Sequence, residues 1–106
     1  MVNLMHTRPR PRSRQARQAY WFEQALLLAI ARPDLYREIR DLDFPARGMN
    51  YPWLQNKRKY WYQQVVSAIG NPCAYSCDYL IRHIGIYARK LKREEDTHEQ
   101  VINAAS

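Results

Sequence analysis

Residues 51–70, YPWLQNKRKYWYQQVVSAIG, are the stretch that decides the fold. Leu54, Trp61 and Val65 follow one another at spacings of 7 and 4 residues, which places them on one face of an α-helix. Pro52 suits the first turn of that helix, because its missing N–H leaves no hydrogen bond unmade there. The stretch therefore predicts a helix with one buried apolar face.

The same helical periodicity recurs in three other segments, residues 13–31, 33–42 and about 74–95. Ser13 is placed to cap the first of them. We therefore predict an all-α fold, a small four-helix domain. Its parts are a basic extended arm (residues 1–14), the helical domain (residues 15–95) and a frayed, flexible acidic tail (residues 96–106).

The apolar stripe of each helix predicts which side chains meet in the core. We expect six of them to be buried together: Leu26, Ile30, Trp61, Val65, Ile84 and Leu91. Trp21 is expected in the core rather than against a partner. These assignments assume that each helix turns a single face inward.

The charge is unevenly distributed along the 106 residues, whose net charge is +7. Residues 1–19 carry +5, residues 50–93 carry +7 and residues 94–106 carry −4. This pattern indicates an acidic partner, either a protein or a nucleic acid, although charge that only keeps a protein soluble has the same composition. No apolar run approaches the roughly 20 residues of a membrane helix, so we expect no membrane contact.

The arm alternates arginine with proline and carries four arginines, Arg8, Arg10, Arg12 and Arg14. Proline in alternate positions favours extended backbone and disfavours a helix. The arm is therefore either laid on phosphates or on an acidic protein groove, or it is a disordered leader.

A second basic segment, Lys57, Arg58, Lys59 and Tyr60, leads into Trp61. We expect its cations to be exposed, because they fall outside the apolar stripe. Cations with aromatic rings can bind single-stranded nucleic acid, and the same residue types form hot spots of protein interfaces. In a third interpretation the rings belong to the core and the cations are only exposed. The sequence leaves all three open.

No catalytic constellation is visible, so we expect no enzyme, no catalytic residues and no cofactor. Carboxylates of the second helix such as Glu38 are typical of a solvated helix face. Cys73, Cys77 and His83 match no common zinc spacing, so we expect no metal site. Two cysteines do not make a disulfide framework, which indicates reduced thiols in the cytoplasm.

Four segments in succession carry a resemblance to a known family: RPRPRSRQARQ, YWFEQALLLAIARPDLYREIRDLDFPARGMNYPW, KRKYWYQQ and IGNPCAYSCDYLIRHIGIYARKLKRE. The chain from Met5 onward resembles the anti-RecBCD accessory proteins of lambdoid (P22-type) phages. The resemblance covers nearly the whole chain but contains no short diagnostic motif. It implies a protein that is not an enzyme and that works in the host cytoplasm.

The resemblance implies that the protein binds the host RecBCD helicase–nuclease, with RecC as the docking subunit. Chi recognition and RecA loading would be disturbed to the benefit of phage recombination, and DNA would be met only within the complex. The alternative is a stand-alone small basic DNA-binding protein that uses the arm and the third and fourth helices.

The resemblance also implies a second host partner, a cyclophilin-type prolyl isomerase, at Pro72. From the residues alone we expect a trans proline that opens a helix. The resemblance favours instead a cis Asn71–Pro72 bond in the bound protein, with Gly70 supplying backbone freedom.

Overall fold

The computed structural model describes residues 8–41 and 52–105, with side chains described up to residue 96. Its helices are α1 (Arg14–Ala31), α2 (Pro33–Asp41), α3 (Pro52–Ile69) and α4 (Cys77–Ala105). α1 and α4 pack against each other, and each also contacts both α2 and α3. The described residues contain no strand, and the predicted all-α four-helix fold is confirmed.

The first helices begin and end at the residues that the local sequence predicts. The Ser13 hydroxyl accepts a hydrogen bond of 3.0 Å from the N–H of Ala16, which satisfies one free donor at the start of α1. Only Arg32 separates α1 from α2. Its guanidinium pairs with Asp34 in the first turn of α2 and also donates to Gln64 of α3 at 3.1 Å. The backbone N–H of Arg32 donates to the carbonyl of Leu28 in α1 at 2.8 Å, so this one residue joins three helices.

α4 is longer than the sequence predicted. The hydroxyl of Ser76 accepts from the N–H of Tyr79 at 3.3 Å, so the helix begins at Cys77 with a capped first turn. It continues to Ala105, beyond the predicted end near residue 95. Glutamate, glutamine and alanine favour helix, so a lack of apolar residues does not by itself end one.

The core lies where the four helices meet. Its buried members are Trp21, Leu28, Leu35, Ile39, Trp61, Val65, Cys73, Tyr75, Leu80, Ile81 and Ile84. The predictions for Trp21, Trp61, Val65 and Ile84 are therefore confirmed. Two tryptophans contribute a large share of the apolar surface removed from water.

The core assignment on α1 was wrong for two residues. Leu26 is 49% exposed and Ile30 is 80% exposed. The buried stripe instead runs through Trp21, Ala25 and Leu28, at spacings of four and three residues. Because this helix is apolar on nearly every face, periodicity alone does not select the inward one. Leu91, also predicted in the core, is half-buried.

A charge introduced at Val65 should unfold the domain, whereas the same charge at Leu26 should not. Val65→Asp buries a carboxylate in a site with no solvent exposure, while Leu26→Asp places it in water. Thermal melting followed by circular dichroism should show no cooperative transition for the first variant and a near wild-type transition for the second. The reverse ranking would mean that α1 presents its other face to the core.

Candidate partner-binding surface

The connection between α3 and α4 is a hydrogen-bonded turn. Gly70 ends α3 with a left-handed φ of 82°, a conformation that glycine adopts at little cost. The N–H of Ala74 then donates to the carbonyl of Asn71 at 3.0 Å, which makes a β-turn with Pro72 in its second position. The Asn71 amide side chain donates to the carbonyl of Tyr75 at 2.7 Å and accepts from its N–H at 3.0 Å. The turn is thus fixed from both ends.

The bond between Asn71 and Pro72 is trans, because residues 8–41 and 52–105 contain no cis peptide bond. Proline with its fixed φ suits the second position of such a turn, whereas a cis proline occupies the third position of a different turn type. The isolated chain therefore has the trans bond that the residues alone predicted. The cis bond expected in the bound protein stays a prediction.

The arm lies against this turn. The backbone N–H of Arg8 donates to the carbonyl of Pro72 at 2.7 Å. The guanidinium of Arg10 donates through Nε to the carbonyl of Cys73 at 3.2 Å and through Nη2 to the carbonyl of Ala74 at 2.9 Å. The predicted extended arm, on its residues 8–10, therefore follows the turn of its own chain.

Two further contacts hold the same pair of segments together. The Arg10 guanidinium carbon lies 4.5 Å from the ring centroid of Tyr75, within range of a cation–π interaction. The Cys73 thiol lies 3.7 Å from the carbonyl oxygen of Pro9 and is buried. Ala74 has a left-handed φ of 53°, which costs a residue with a Cβ atom roughly 1–2 kcal/mol. The docked arm thus covers a strained turn.

The other two arginines of the arm lie apart from these contacts. The carbonyl of Arg12 accepts from the guanidinium of Arg17 at 2.6 Å, and Arg14 is the first residue of α1. Both side chains are exposed. Of the four arginines predicted as one basic arm, Arg8 and Arg10 therefore bond to the turn, whereas Arg12 and Arg14 face solvent.

The second predicted basic segment is also divided. Lys57 pairs with Glu38 of α2 at 2.8 Å, and the same carboxylate oxygen accepts from the indole N–H of Trp61 at 3.0 Å. Arg58 turns the other way and pairs with Asp78 of α4 at 2.8 Å. Two neighbouring cations thus bind carboxylates of different helices, and Glu38 joins α2 to α3 as well as facing solvent.

The prediction that Arg58 is exposed was wrong, since only 9% of it is accessible. The signal was present in the sequence: Arg58 lies four residues after Leu54 and three before Trp61, on the same helix face as both. Its charge is tolerated there because Asp78, which also pairs with Arg82 at 2.9 Å, neutralises it. Lys59 and Tyr60 are exposed as predicted.

An apolar surface was missed because two of its three residues, Leu26 and Ile30, are predicted in the core from the sequence. Leu26, Leu27 and Ile30 are 49%, 41% and 80% exposed on the outer side of α1. Ile30 lies three residues after Leu27 and four after Leu26, so it is next to both on the helix surface. We call these three side chains the α1 outer face.

Aromatic rings line the start of α4. Tyr75 stacks on Tyr79 at 4.9 Å between centroids, and Tyr79 stacks on His83 at 3.9 Å. His83 also lies 5.0 Å from Trp21, and burial lowers the pKa of its imidazole. Burial raises the pKa of the Cys77 thiol. Within the described residues no group of His, Cys, Asp or Glu side chains is arranged to hold a metal ion, and the cysteines are free.

These features define a small all-α domain in which the arm is bonded to the turn between α3 and α4 and α1 presents an exposed apolar face. In comparisons with protein-family models, curated proteins and solved structures, nothing matches this chain. None of the helices in the described ranges is long and apolar enough to cross a membrane.

Arg58 should contribute to stability whereas Lys59 should not. Arg58→Ala is expected to lower the free energy of unfolding by about 2 kcal/mol, because it removes one partner of an ion pair whose guanidinium is buried. In this variant Asp78 is still paired with Arg82 and still reaches water, so the loss of stability should be smaller than for breaking a fully buried ion pair. Lys59→Ala is expected to change the same free energy by less than about 0.5 kcal/mol. Urea denaturation of both variants measures the difference, and equal losses would contradict the pairing.

Glu38 should make stability depend on pH in the acid range. The bond from Lys57, and then the bond from the Trp61 indole, hold the pKa of Glu38 below its ordinary value of 4.5. Because the folded state lowers this pKa, the stabilisation is complete above 4.5 and is lost as the pH falls through the lowered value.

The test replaces Glu38 with glutamine, which keeps an acceptor for the indole but removes the charge. Glu38→Gln should cost roughly 0.5 kcal/mol at pH 7, since the pair is partly exposed, and the cost should disappear at low pH. Glu23→Gln, on the solvent side of α1, is the matched control and should change little. Urea titrations from pH 7 downward give both values. A cost for Glu38→Gln that does not vary with pH would be inconsistent with this assignment.

Proposed function

We propose that this protein is a phage-encoded modulator that binds the host RecBCD helicase–nuclease, with RecC as the docking subunit. It disturbs Chi recognition and RecA loading in the host cytoplasm and so favours phage recombination. The sequence resemblance supplies the identity of the target. The observation that supports protein docking as the mode of action is the α1 outer face, whose three side chains are 41–80% exposed.

The composition of α1 favours a protein partner over nucleic acid at this face. Residues 18–31 contain one charged residue, Glu23, and no cation, although the whole chain is +7. A face without cations has nothing with which to neutralise phosphates. Adjacent exposed leucine and isoleucine side chains instead gain free energy when a partner removes them from water. We therefore place the RecC contact here.

The rival function, stand-alone DNA binding, has less support from the arrangement of the cations. Lys57 and Arg58 of α3 are each paired with a carboxylate, and Arg10 of the arm is bonded to backbone carbonyls. Each would have to exchange these partners before it could meet a phosphate. In the proposed function the protein meets DNA only within the assembled complex.

The second proposed partner, a cyclophilin-type prolyl isomerase, acts at Pro72. The support is positional, since Pro72 is half-buried in the turn that joins α3 and α4. A protein that binds this turn also holds the junction between two helices that carry eight of the chain's 17 lysine and arginine residues.

The experiment that tests the RecBCD proposal measures co-elution with purified RecBCD on a sizing column. The wild-type protein should co-elute, and Ile30→Asp should bind at least about tenfold more weakly, because it places a charge at the centre of the apolar contact. Gln63→Asp introduces the same charge on the exposed side of α3 and is the matched control. It should bind like the wild type.

Two results would count against the proposal. Failure of the wild-type protein to co-elute would reject RecBCD as the target, and full binding by Ile30→Asp would remove the α1 outer face from the contact. A mobility-shift assay on the isolated protein separates the rival function. Tight DNA binding with a steep salt dependence would favour the stand-alone DNA-binding protein.

A further inference from the structure

We propose that residues 8–10 form a displaceable latch on the turn of residues 71–74, and that a protein that reads this turn through its backbone binds only after the latch opens. The latch is a property of the isolated chain. The identity of the gated partner, a prolyl isomerase, rests on the proposed function.

Every backbone acceptor of the turn is already in use. All four carbonyl oxygens of residues 71–74 accept hydrogen bonds, the first from the N–H of Ala74 within the turn. The second accepts from the backbone N–H of Arg8, and the third and fourth from the guanidinium of Arg10. One recurring mode of peptide recognition takes its affinity from main-chain hydrogen bonds, and a protein that binds this turn in that way needs these carbonyl oxygens as acceptors. Three of the four acceptors are therefore withheld by the arm.

The latch is built to open without unfolding the domain. Arg8, Pro9 and Arg10 are exposed, and water can replace the donors that the arm supplies. The arm precedes the cap of α1 at Ser13, so its departure leaves every helix intact. Local openings of this kind occur at far lower cost than global unfolding.

In the isolated protein the reactivity of the Cys73 thiol reports the opening of the latch. Cys73 is 4% exposed and its thiol lies against the carbonyl of Pro9, so we expect the thiol to become accessible when the arm leaves. The chain contains two cysteines, and Cys77→Ser leaves Cys73 as the only thiol. The rate of its reaction with an aromatic disulfide such as DTNB then follows the opening of the latch.

The first measurement compares two arginines of the same arm in the Cys77→Ser protein. Arg10→Ala removes both guanidinium bonds and should raise the reaction rate of Cys73 roughly tenfold, the effect of losing charge-assisted hydrogen bonds. Arg12→Ala removes an equal charge from an exposed position and should leave the rate unchanged. Equal rates in the two variants would overturn the latch.

A second pair of variants tests the backbone bond. Arg8→Pro deletes the N–H that donates to Pro72, whereas Arg8→Ala deletes the side chain and keeps that N–H. Only the proline variant should accelerate the reaction of Cys73. Thermal melting of each variant shows that the helices persist. If Arg10→Ala fails to fold, Arg10→Lys keeps the charge without the planar fork and should still react faster than the wild type.

The gating of the partner is measured by titration with a cyclophilin-type prolyl isomerase. Arg10→Ala should bind about tenfold more tightly than the wild type or Arg12→Ala, because the competent open state is more populated. Pro72→Ala should lose binding. Faster thiol reaction in Arg10→Ala with unchanged isomerase affinity would overturn gating. Absence of binding by every variant and by the wild type would reject the isomerase as partner, while the thiol rates would still decide the latch.

Discussion

The side-chain amide of Asn71 is the interaction on which the rest of the surface depends. It bonds to both backbone polar groups of Tyr75, across the turn that joins α3 to α4. Because Tyr75 is held there, its ring lies 4.9 Å from Trp21 in the core and presents its other contacts to Tyr79 and Arg10. One amide therefore sets the path of the turn, the first ring of the aromatic row and the place where the arm docks.

Local sequence signals were sufficient for the helices and insufficient for their faces. Ser13, Pro33, Pro52 and Gly70 mark helix ends by conformational preferences that act within a few residues, and the structure follows them. The inward face of α1 could not be predicted, because α1 is apolar on nearly every side and the choice depends on where α2, α3 and α4 pack.

The burial of Arg58 could have been predicted from spacing, but its partner could not. Leu54 and Trp61 place Arg58 on the buried face, yet the charge type argued for solvent. The carboxylate that makes burial tolerable belongs to Asp78, on a different helix. The contact of Arg10 with Cys73 spans 63 residues in the same way. Periodicity within a single segment carries no information on such long-range pairs.

The length of α4 places positive and negative charge in succession along one helix, which gives the molecule a charge dipole. Between Arg82 and Arg93 the helix carries five cations, and the three residues that follow, Glu94, Glu95 and Asp96, are exposed acids. A single helix of 29 residues carries both signs of charge along one rigid direction, and the sign changes between Arg93 and Glu94. A charged partner therefore exerts a torque on the protein before any contact is made. The protein should therefore approach such a partner with its basic end toward negative potential, so that encounters are oriented rather than random.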